Sequence, residues 1–499
     1  MGHVDLAIVG GGVAGTYVAY RMGQQHPEWT IALFERSQRV GGRLLSLWAR
    51  GIDGVRAELG GMRFRTSQPK ITALVAELGL AARPFRTVDD DNFYLLRGRR
   101  LRAAGFRRGE SLTYGLEPTF HGMPPAEVLF AAIEAVIPGA QSMSPGDWAA
   151  AKPTLAYRGR ALSDWSIDDL LDTVVGREGR AFIADGFGYD AIFGDRNAAD
   201  CIPWLLIEAR PETENYTLVD GMESLPRTLA ARFTAAGGTI RSGSRLVRLR
   251  RHGTGANGSF ELSFAGGRVE RAQRVVVAVP RRALEDIDGV LVDEALRDLA
   301  RSVGIRTAAK LALWYETPWW RERLGNGLRA VTEPPLQKVY LFDRAAPPQS
   351  GGALLLVYTD GSARQYWAEL AGVDPARTDN LPLASPDRWA AYRPPRSLVE
   401  AATRHLRELF DVPPPEPRAA GFKDWGGPTE HGAYNVWLVG RPSWAVIPRM
   451  VQPLAEVPLY VCGESYADSQ GWIEGALETS DVVVERLSAK TDSRPRRSR

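Results

Sequence analysis

Three closely spaced glycines near the start of the chain constrain its fold more than any other feature. An apolar run at residues 4–9 leads into Gly10, Gly12 and Gly15, and a helical pattern and a second apolar run at residues 29–34 follow. This order is typical of a dinucleotide-binding unit. The first glycine makes a tight turn, the second lets backbone N–H groups approach a pyrophosphate, and the third lets helix and strand pack closely. The sequence therefore predicts a Rossmann-like unit.

The residues after this unit indicate the kind of dinucleotide. Glu35 follows Gly15 by twenty residues, where a carboxylate can accept hydrogen bonds from ribose hydroxyls. Two glycine pairs come next, Gly41-Gly42 before Arg43 and then Gly60-Gly61. A nicotinamide-binding unit has no need of them, whereas a longer dinucleotide lying extended across the protein does. Ordinary turns are the alternative interpretation.

The C-terminal part of the chain repeats the strand, turn and helix order. An apolar run at residues 458–462 precedes Gly463-Glu464, and apolar residues recur at helical spacing over residues 472–487. A helix beginning at Gly471 would direct its free N–H groups and the positive end of its dipole at whatever precedes it. Such an end favours a ligand that gains negative charge. An ordinary capped amphipathic helix is the alternative.

Together these motifs resemble those of the flavin-containing amine oxidase family, and within it the L-amino acid oxidases. The resemblance extends over about residues 4–487 and includes Lys310, Trp425 and the run Gly432-Ala433-Tyr434. It implies FAD as the cofactor. The FAD should be bound non-covalently, because no cysteine lies in the segments expected beside the dimethylbenzene edge of the flavin. The expected FAD contacts are Gly10, Gly12, Val13, Ala14, Gly15, Glu35, Arg36, Gly42, Arg43, Gly60, Gly61, Met62, Arg63, Leu246, Val279, Gly463, Glu464, Gly471, Trp472 and Ile473.

The resemblance and the order of the motifs predict an interleaved α/β architecture. A Rossmann-like, two-dinucleotide-binding FAD domain of the glutathione reductase type should alternate with an α+β substrate-binding domain and a helical domain. Turn-forming residues between 105 and 125 and helical periodicity from Pro125 place one boundary. The expected ranges are 1–65, 217–303 and 452–487 for the FAD domain, 66–115 and 304–451 for the substrate domain, 116–216 for the helical domain, and 488–499 for a disordered tail.

Arginine supplies the candidate contacts to the substrate. The resemblance assigns Arg63 to a substrate carboxylate, which a planar guanidinium can bind bidentately. The alternatives are a contact to cofactor phosphate, as expected for Arg43, or an ion pair within the protein. Arg65 is the nearest competitor. Tyr340, in an apolar strand pattern, is the candidate for a second carboxylate contact.

Lys310, Tyr434 and Trp472 complete the predicted catalytic set. Lys310 lies in an apolar strand pattern at residues 307–314. The lysine at this place in the family holds a water against flavin N5, and a lysine that guards an edge strand is the alternative. Tyr434 and Trp472 match two aromatic rings that flank the substrate amine and exclude water, with core packing as the alternative. No base is evident, and removal of a hydride from a neutral amine needs none.

Composition restricts the other classes of function. The 62 basic and 59 acidic residues give a net charge of +3, which argues against nucleic acid or a membrane surface as the main partner. No apolar run is long enough to span a membrane, and the start has no basic leader, so a cytoplasmic location is expected. With Cys201 and Cys462 as the two cysteines, neither a disulfide framework nor a metal cluster is indicated.

The predicted function is that of an FAD-dependent L-amino acid oxidase. It would convert L-amino acids and oxygen into 2-oxo acids, ammonia and hydrogen peroxide, and the resemblance implies a homodimer. No acidic residue can be placed in the pocket from the sequence, so large apolar or aromatic side chains are the expected preference. Three alternatives remain: an amine or polyamine oxidase, an amino-acid 2-monooxygenase that forms an amide, and a non-catalytic flavin-binding protein. Lys310 and the two aromatic residues argue against the last.

Overall fold

The structure is a computed structural model that describes residues 2–49, 52, 55–210, 214–253, 258–342, 352–372, 391–427 and 429–492. The helices in this part of the chain are α1 (Val13–Gln25), α2 (Pro69–Leu78), α3 (Ala103–Arg107), α4 (Pro125–Val136), α5 (Pro145–Ala151), α6 (Ile167–Phe187), α7 (Ala198–Ala209), α8 (Ser224–Ala235), α9 (Arg281–Glu285), α10 (Glu294–Ala300), α11 (Arg321–Leu324), α12 (Gly361–Ala371), α13 (Arg396–Phe410), α14 (Ser443–Val451) and α15 (Ile473–Asp492). The strands are β1 (Gly2–Val9), β2 (Ile31–Phe34), β3 (Ser46–Trp48), β4 (Arg56–Glu58), β5 (Phe64–Arg65), β6 (Ala82–Pro84), β7 (Phe93–Leu96), β8 (Arg99–Arg102), β9 (Ala156–Tyr157), β10 (Arg160–Ala161), β11 (Asn215–Leu218), β12 (Thr239–Arg241), β13 (Leu246–His252), β14 (Ser259–Phe264), β15 (Val269–Val277), β16 (Val303–Arg306), β17 (Ala308–Tyr315), β18 (Arg329–Thr332), β19 (Lys338–Phe342), β20 (Ala353–Asp360), β21 (Ala419–Asp424), β22 (Tyr434–Trp437) and β23 (Leu459–Val461).

The first large sheet contains the N-terminal strand and the glycine turn. Its strands β12, β2, β1 and β15 run parallel, β23 pairs parallel with the C-terminal part of β15, and β14 and β13 continue the sheet antiparallel. All four residues of β2 are buried, as expected for a strand covered on both faces. Leu6 and Ile8 of β1 pack with α1, α8 and α15, whereas Ala7 and Val9 belong to a second core with α10 and α14.

Close packing at the glycine turn sets where α1 begins. Gly10 has a φ of 107°, and a Cβ on Gly15 would lie 1.9 Å from the Gly10 carbonyl oxygen. No side chain fits in that space. Helix α1 therefore rests directly on the turn, and its N-terminus lies beside the carboxyl end of β1.

The second large sheet has the order β21, β17, β20, β19, β18, β7 and β8. Strands from both segments predicted for the substrate domain pair here, because β7 lies beside β18. Strand β17 pairs along its length with β20 on one side and β21 on the other, and all eight of its residues are buried. Lys310 is therefore in the interior of the sheet, and the edge-strand interpretation of this lysine is wrong.

Helices α4, α6 and α7 pack around a separate apolar core. Gly176 interrupts α6 with a φ of 71° and a ψ of 168°. At the C-terminus the structure differs from the predicted tail, since α15 continues to Asp492. Leu487 is buried and Ser488 Oγ donates to Gln25 Oε1 at 2.7 Å, so the helix still has contacts where disorder was expected. Residues 493–499 lie outside the described residues. Over the described residues, no helix is long and apolar enough to cross a membrane.

Candidate active site

One elongated cavity of about 620 Å³ extends from the carboxyl ends of β1 and β2 to α7 and the second sheet. The carboxyl ends of parallel strands are the usual ligand position in such sheets. Every residue predicted to contact cofactor or substrate lines this cavity, with the exceptions of Gly15 and Tyr340. Motifs that are hundreds of residues apart in sequence thus meet around a single space.

The glycine end of the cavity is lined by bare backbone and one buried carboxylate. Glu35 Oε2 accepts a hydrogen bond from Gly11 N at 2.6 Å, and Oε1 accepts one from Ser37 N at 2.8 Å. Gly12 is the N-cap of α1, without a side-chain cap and without an acidic residue in the first turn. A Cβ on Gly12 would have only Gly42 Cα within 4 Å, at 3.8 Å. Open N–H groups at a helix start suit a pyrophosphate, so this end fits a dinucleotide.

Glu464 connects three of the glycine motifs. Its carboxylate accepts hydrogen bonds from Arg43 Nη1 at 2.5 Å, from Asn435 Nδ2 at 2.7 Å and from Gly471 N at 3.0 Å. Arg43 also donates to the Ala433 carbonyl oxygen at 3.2 Å. Arg43 is thus held by Glu464 and the Ala433 carbonyl oxygen, and the phosphate contact expected of it stays a prediction. Arg36, at the rim, donates to the Thr429 carbonyl oxygen.

Lys310 lies beneath the Gly60 loop, at the end of the cavity opposite the glycine turn. Its Nζ donates to the carbonyl oxygens of Glu58 at 3.1 Å and Gly60 at 2.5 Å. Trp425 Nε1 donates to the carbonyl oxygen of Leu59 at 2.7 Å, so the same loop is held at three successive residues. Burial lowers the pKa of Lys310 to about 7, an effect that the Glu58 carboxylate opposes. The lysine can therefore exist as a cation or as a neutral amine near neutral pH.

Arg63 has a protein partner that the sequence did not indicate. Its guanidinium donates to Glu208 Oε1 at 2.6 Å, and Arg65 donates to the other oxygen of the same carboxylate. The Arg65 guanidinium lies 4.0 Å from the Trp472 ring centroid and that of Arg63 lies 5.8 Å from it. The sequence could not place an acidic residue in the substrate pocket, and the structure places Glu208 there. Glu208 comes from α7, far along the chain from both arginines, and only the tertiary fold brings it to them.

The three side chains together have a net positive charge. Burial alone would raise the pKa of Glu208, but the Arg63 and Arg65 guanidiniums outweigh it and lower the pKa to about 2. Burial lowers the pKa of Arg65 to about 10. Burial also opposes the charge of Arg63, but Glu208 more than compensates and the pKa of Arg63 stands well above its usual value. Two cations and one anion leave a charge of +1 beside Trp472 near neutral pH.

Tyr340 does not reach the cavity. Tyr189 lines it instead, and the hydroxyl oxygens of Tyr189 and Tyr340 are 2.5 Å apart. Lys338 Nζ lies 3.5 Å from the Tyr189 ring centroid and donates to the Phe187 carbonyl oxygen at 2.8 Å. The direct carboxylate contact predicted for Tyr340 is therefore unsupported. Tyr189 follows α6 in a loop, and no spacing in the sequence relates it to Arg63.

Tyr434 and Trp472 both line the cavity and are half-buried. A Cβ on Gly471 would lie 3.5 Å from the Tyr434 ring, which places the two motifs in contact. Trp472 Nε1 is buried and has no hydrogen-bond partner among the described residues. Rings that border open space are available to a ligand, which core packing alone would not require.

Comparison with known proteins agrees with this geometry. Residues 13–487 match the family described as flavin containing amine oxidoreductase, and the chain belongs to that family. It is 27% identical to Aplysianin-A of Aplysia kurodai, over 96% of this chain and 89% of that protein. It is 24% identical to the flavin-dependent L-tryptophan oxidase RebO of Lentzea aerocolonigenes, over 98% of each. A solved structure of a putrescine oxidase double mutant aligns with a TM-score of 0.70 at 18% identity, covering 98% of this chain and 99% of that one.

The chain is thus an FAD-dependent oxidoreductase with the interleaved α/β fold of the amine oxidases. The cavity fits FAD, because it pairs an uncapped helix start and Glu35 at one end with Lys310 and an unpartnered Trp472 Nε1 at the other.

Proposed function

We propose that this protein is an FAD-dependent L-amino acid oxidase. The net positive charge of Arg63, Arg65 and Glu208 supports this proposal most strongly. A buried excess cation is costly unless an anion joins it. The carboxylate of an amino acid supplies that anion, whereas a plain amine would bring a further positive charge or none. The name of the L-tryptophan oxidase agrees with this preference; that of the putrescine oxidase points to an amine as the alternative.

In the proposed reaction, Arg63 holds the substrate carboxylate through charge-assisted hydrogen bonds. Arg65 stays paired with Glu208, which lets Arg63 turn one edge of its guanidinium to the substrate. Tyr434 and Trp472 border the substrate amine and exclude water, and they restrict its orientation without adding a base. The bound flavin supplies the acceptor for the hydride that leaves Cα.

Lys310 would hold a water molecule above the Gly60 loop. Two of its N–H groups already bind the Glu58 and Gly60 carbonyl oxygens, so as a cation it has one further N–H for that water. Water then hydrolyses the imino acid to a 2-oxo acid and ammonia, and oxygen is reduced to hydrogen peroxide. No side-chain base is needed, since the substrate amine reacts in its neutral form.

Product analysis tests the proposal. Purified enzyme is incubated in air with L-leucine, L-phenylalanine, L-glutamate and the corresponding decarboxylated amines, and 2-oxo acid, ammonia, peroxide and amide are measured. Equal amounts of 2-oxo acid and ammonia, without amide, would support the oxidase. A decarboxylated amide would assign an amino-acid 2-monooxygenase instead, and no turnover with either amino acids or amines would indicate a binding protein.

A further inference from the structure

Arg196 is a buried arginine without an ion-pair or hydrogen-bond partner for its side chain among the described residues. The residue is 2% exposed, and among the described residues its guanidinium forms no ion pair and donates no hydrogen bond; its buried Nε is unsatisfied. Asp195, the adjacent residue, pairs with Arg306 instead. A buried, ionised guanidinium with no acceptor is strongly unfavourable. An anionic ligand at this position would remove that cost.

The Arg196 side chain borders the cavity at its substrate end. It lines the cavity together with Trp204 and Ile192, and its guanidinium lies 5.0 Å from the Trp204 ring centroid. Tyr434 lines the same cavity, and Tyr434 and Trp204 pack against the same apolar core. The phosphate-binding end, at Gly12 and Glu35, belongs to a different part of the cavity.

Helix α7 relates Arg196 to the predicted carboxylate site. Trp204 stacks with Arg196, and Glu208 binds Arg63. These two residues are four apart on α7, so they share a face and are separated by about 6 Å along its axis. The two guanidiniums consequently lie against successive turns of one helix. Trp204 and Ile192 line the same cavity as both arginines, and apolar side chains of this kind suit a short chain of methylene groups.

The ion pairs of this end leave one guanidinium without a carboxylate. Glu208 is shared by Arg63 and Arg65, and no carboxylate among the described residues forms an ion pair with Arg196. The α-carboxylate of the substrate can bind Arg63. A second carboxylate, on the substrate side chain, can bind Arg196.

We propose that Arg196 forms a side-chain subsite that selects L-amino acids with acidic side chains, L-glutamate or L-aspartate. The inference rests on the proposed L-amino acid oxidase activity and replaces the apolar side chains expected from the sequence. The α-carboxylate binds Arg63 and the side-chain carboxylate binds Arg196. No chemical step is added, because the side-chain carboxylate is unchanged by oxidation at Cα.

Steady-state kinetics with matched substrates test the subsite. The wild-type enzyme should have a kcat/KM for L-glutamate or L-aspartate at least about tenfold above that for the uncharged amide, L-glutamine or L-asparagine. Arg196→Gln should lower the value for the preferred acidic substrate roughly a hundredfold, and change that for its amide less than about threefold. Arg196→Lys should recover part of the loss. Arg180→Gln is the control, because Arg180 pairs with Asp172 on α6, away from the cavity.

Binding provides a readout that does not depend on turnover. Calorimetric titration of the holoenzyme with glutarate and with pentanoate, at constant ionic strength, compares two carboxylates with one. Tighter binding of glutarate in wild type, lost in Arg196→Gln at unchanged flavin content, would support the subsite. Equal binding of the two acids would overturn it.

The kinetic results separate this inference from the function on which it rests. Oxidation of L-leucine or L-glutamine as efficient as that of both acidic amino acids would overturn the subsite and leave the L-amino acid oxidase intact. A uniform loss for all substrates in Arg196→Gln would also overturn it. Oxidation of amines alone, with every L-amino acid inert, would overturn the proposed function itself.

Discussion

At the scale of single residues, the site is characterised by buried arginines that outnumber the carboxylates paired with them. Glu208 is shared by Arg63 and Arg65, whereas Arg196 has no carboxylate among the described residues. Because buried charges are costly without partners, we propose that a substrate anion binds at Arg63 and at Arg196. Lys310 differs, since its pKa of about 7 allows it to lose its charge.

Removal of Arg63 should disable substrate binding and spare the cofactor. Arg63→Met deletes a charge-assisted pair with the substrate carboxylate, a loss on the order of 3 kcal/mol. We expect kcat/KM for amino acids to fall roughly a hundredfold or more, with normal flavin content. Arg63→Lys keeps the charge but not the planar fork, so its kcat/KM should lie between those of the wild type and Arg63→Met. Loss of flavin in the Met variant would instead assign Arg63 to the cofactor.

Removal of Glu208 should destabilise the fold. Glu208→Gln leaves two buried arginines without their shared anion, and breaking such a pair costs on the order of 3 kcal/mol or more. The unfolding temperature should drop, and Arg65→Met in the same chain should recover part of the loss. Because the folded pKa of about 2 lies below the unfolded value, this stabilisation is present near neutral pH and is lost as the pH falls towards 2. A Glu208→Gln variant as stable as wild type would contradict the assignment.

Lys310 should affect the reaction with oxygen more than the reaction with substrate. A cation beside the flavin stabilises the negative charge that oxygen gains on reduction. In Lys310→Met, reoxidation measured by stopped flow should slow by roughly ten- to a hundredfold, about 1.4–2.7 kcal/mol, and anaerobic reduction should slow only modestly. The wild-type reoxidation rate should decline as the pH rises through about 7, where Lys310 loses its proton, and the variant should lack that step. Equal rates in both half-reactions would remove Lys310 from the catalytic set.

At the scale of secondary-structure elements, the glycine turn and α1 form the most predictable part of the molecule. The turn needs glycine at Gly10 for its backbone conformation and at Gly15 for contact with the helix. Both requirements act over a few residues, so they leave a pattern in the sequence. The start of α15 at Ile473 follows Gly471 by two residues, so it too has a signal within a few residues of sequence.

Two substitutions in this element should have opposite effects. A Cβ on Gly15 would meet the Gly10 carbonyl oxygen at 1.9 Å, whereas one on Gly12 would project into open space. Gly15→Ala should therefore lower the unfolding temperature as well as the flavin content. Gly12→Ala should leave the stability of the flavin-free protein unchanged and lower the flavin content alone. Gly146→Ala, in helix α5, is the control and should alter neither. The reverse pattern for Gly12 and Gly15 would show that their roles are exchanged.

Three of the residues that sequence reasoning missed come from one segment, between α6 and the end of α7. Tyr189, Arg196 and Glu208 lie far in sequence from Arg63 and meet it only through the packing of α7 against the cavity. The four-residue spacing of Trp204 and Glu208 on α7 is a faint signal that these two share a face. Neither their distance from Arg63 nor the absence of a partner for Arg196 can be derived from such spacing, because both depend on tertiary contacts.

At the scale of the whole molecule, different layers of the fold form different parts of the cavity. The parallel sheet and α1 form the glycine end of the cavity, the second sheet places Lys310 in its interior, and α7 lines the end that we propose for the substrate. The interleaved order of these layers could be predicted from the order of the motifs. Strand pairing could not be predicted from the motifs, so the sequence left open whether Lys310 lies at the edge of a sheet or in its interior.

The ratio of kcat/KM for an L-amino acid to that for its decarboxylated amine tests the central claim most directly. L-Phenylalanine against phenethylamine and L-glutamate against 4-aminobutanoate give two such pairs, with peroxide formation as the signal. If the positive charge beside Trp472 receives the α-carboxylate, at least one of these amino acids should exceed its amine by roughly a hundredfold or more, and Arg63→Met should abolish the difference. Amines oxidised as efficiently as their amino acids, or more so, would contradict the account and identify an amine oxidase.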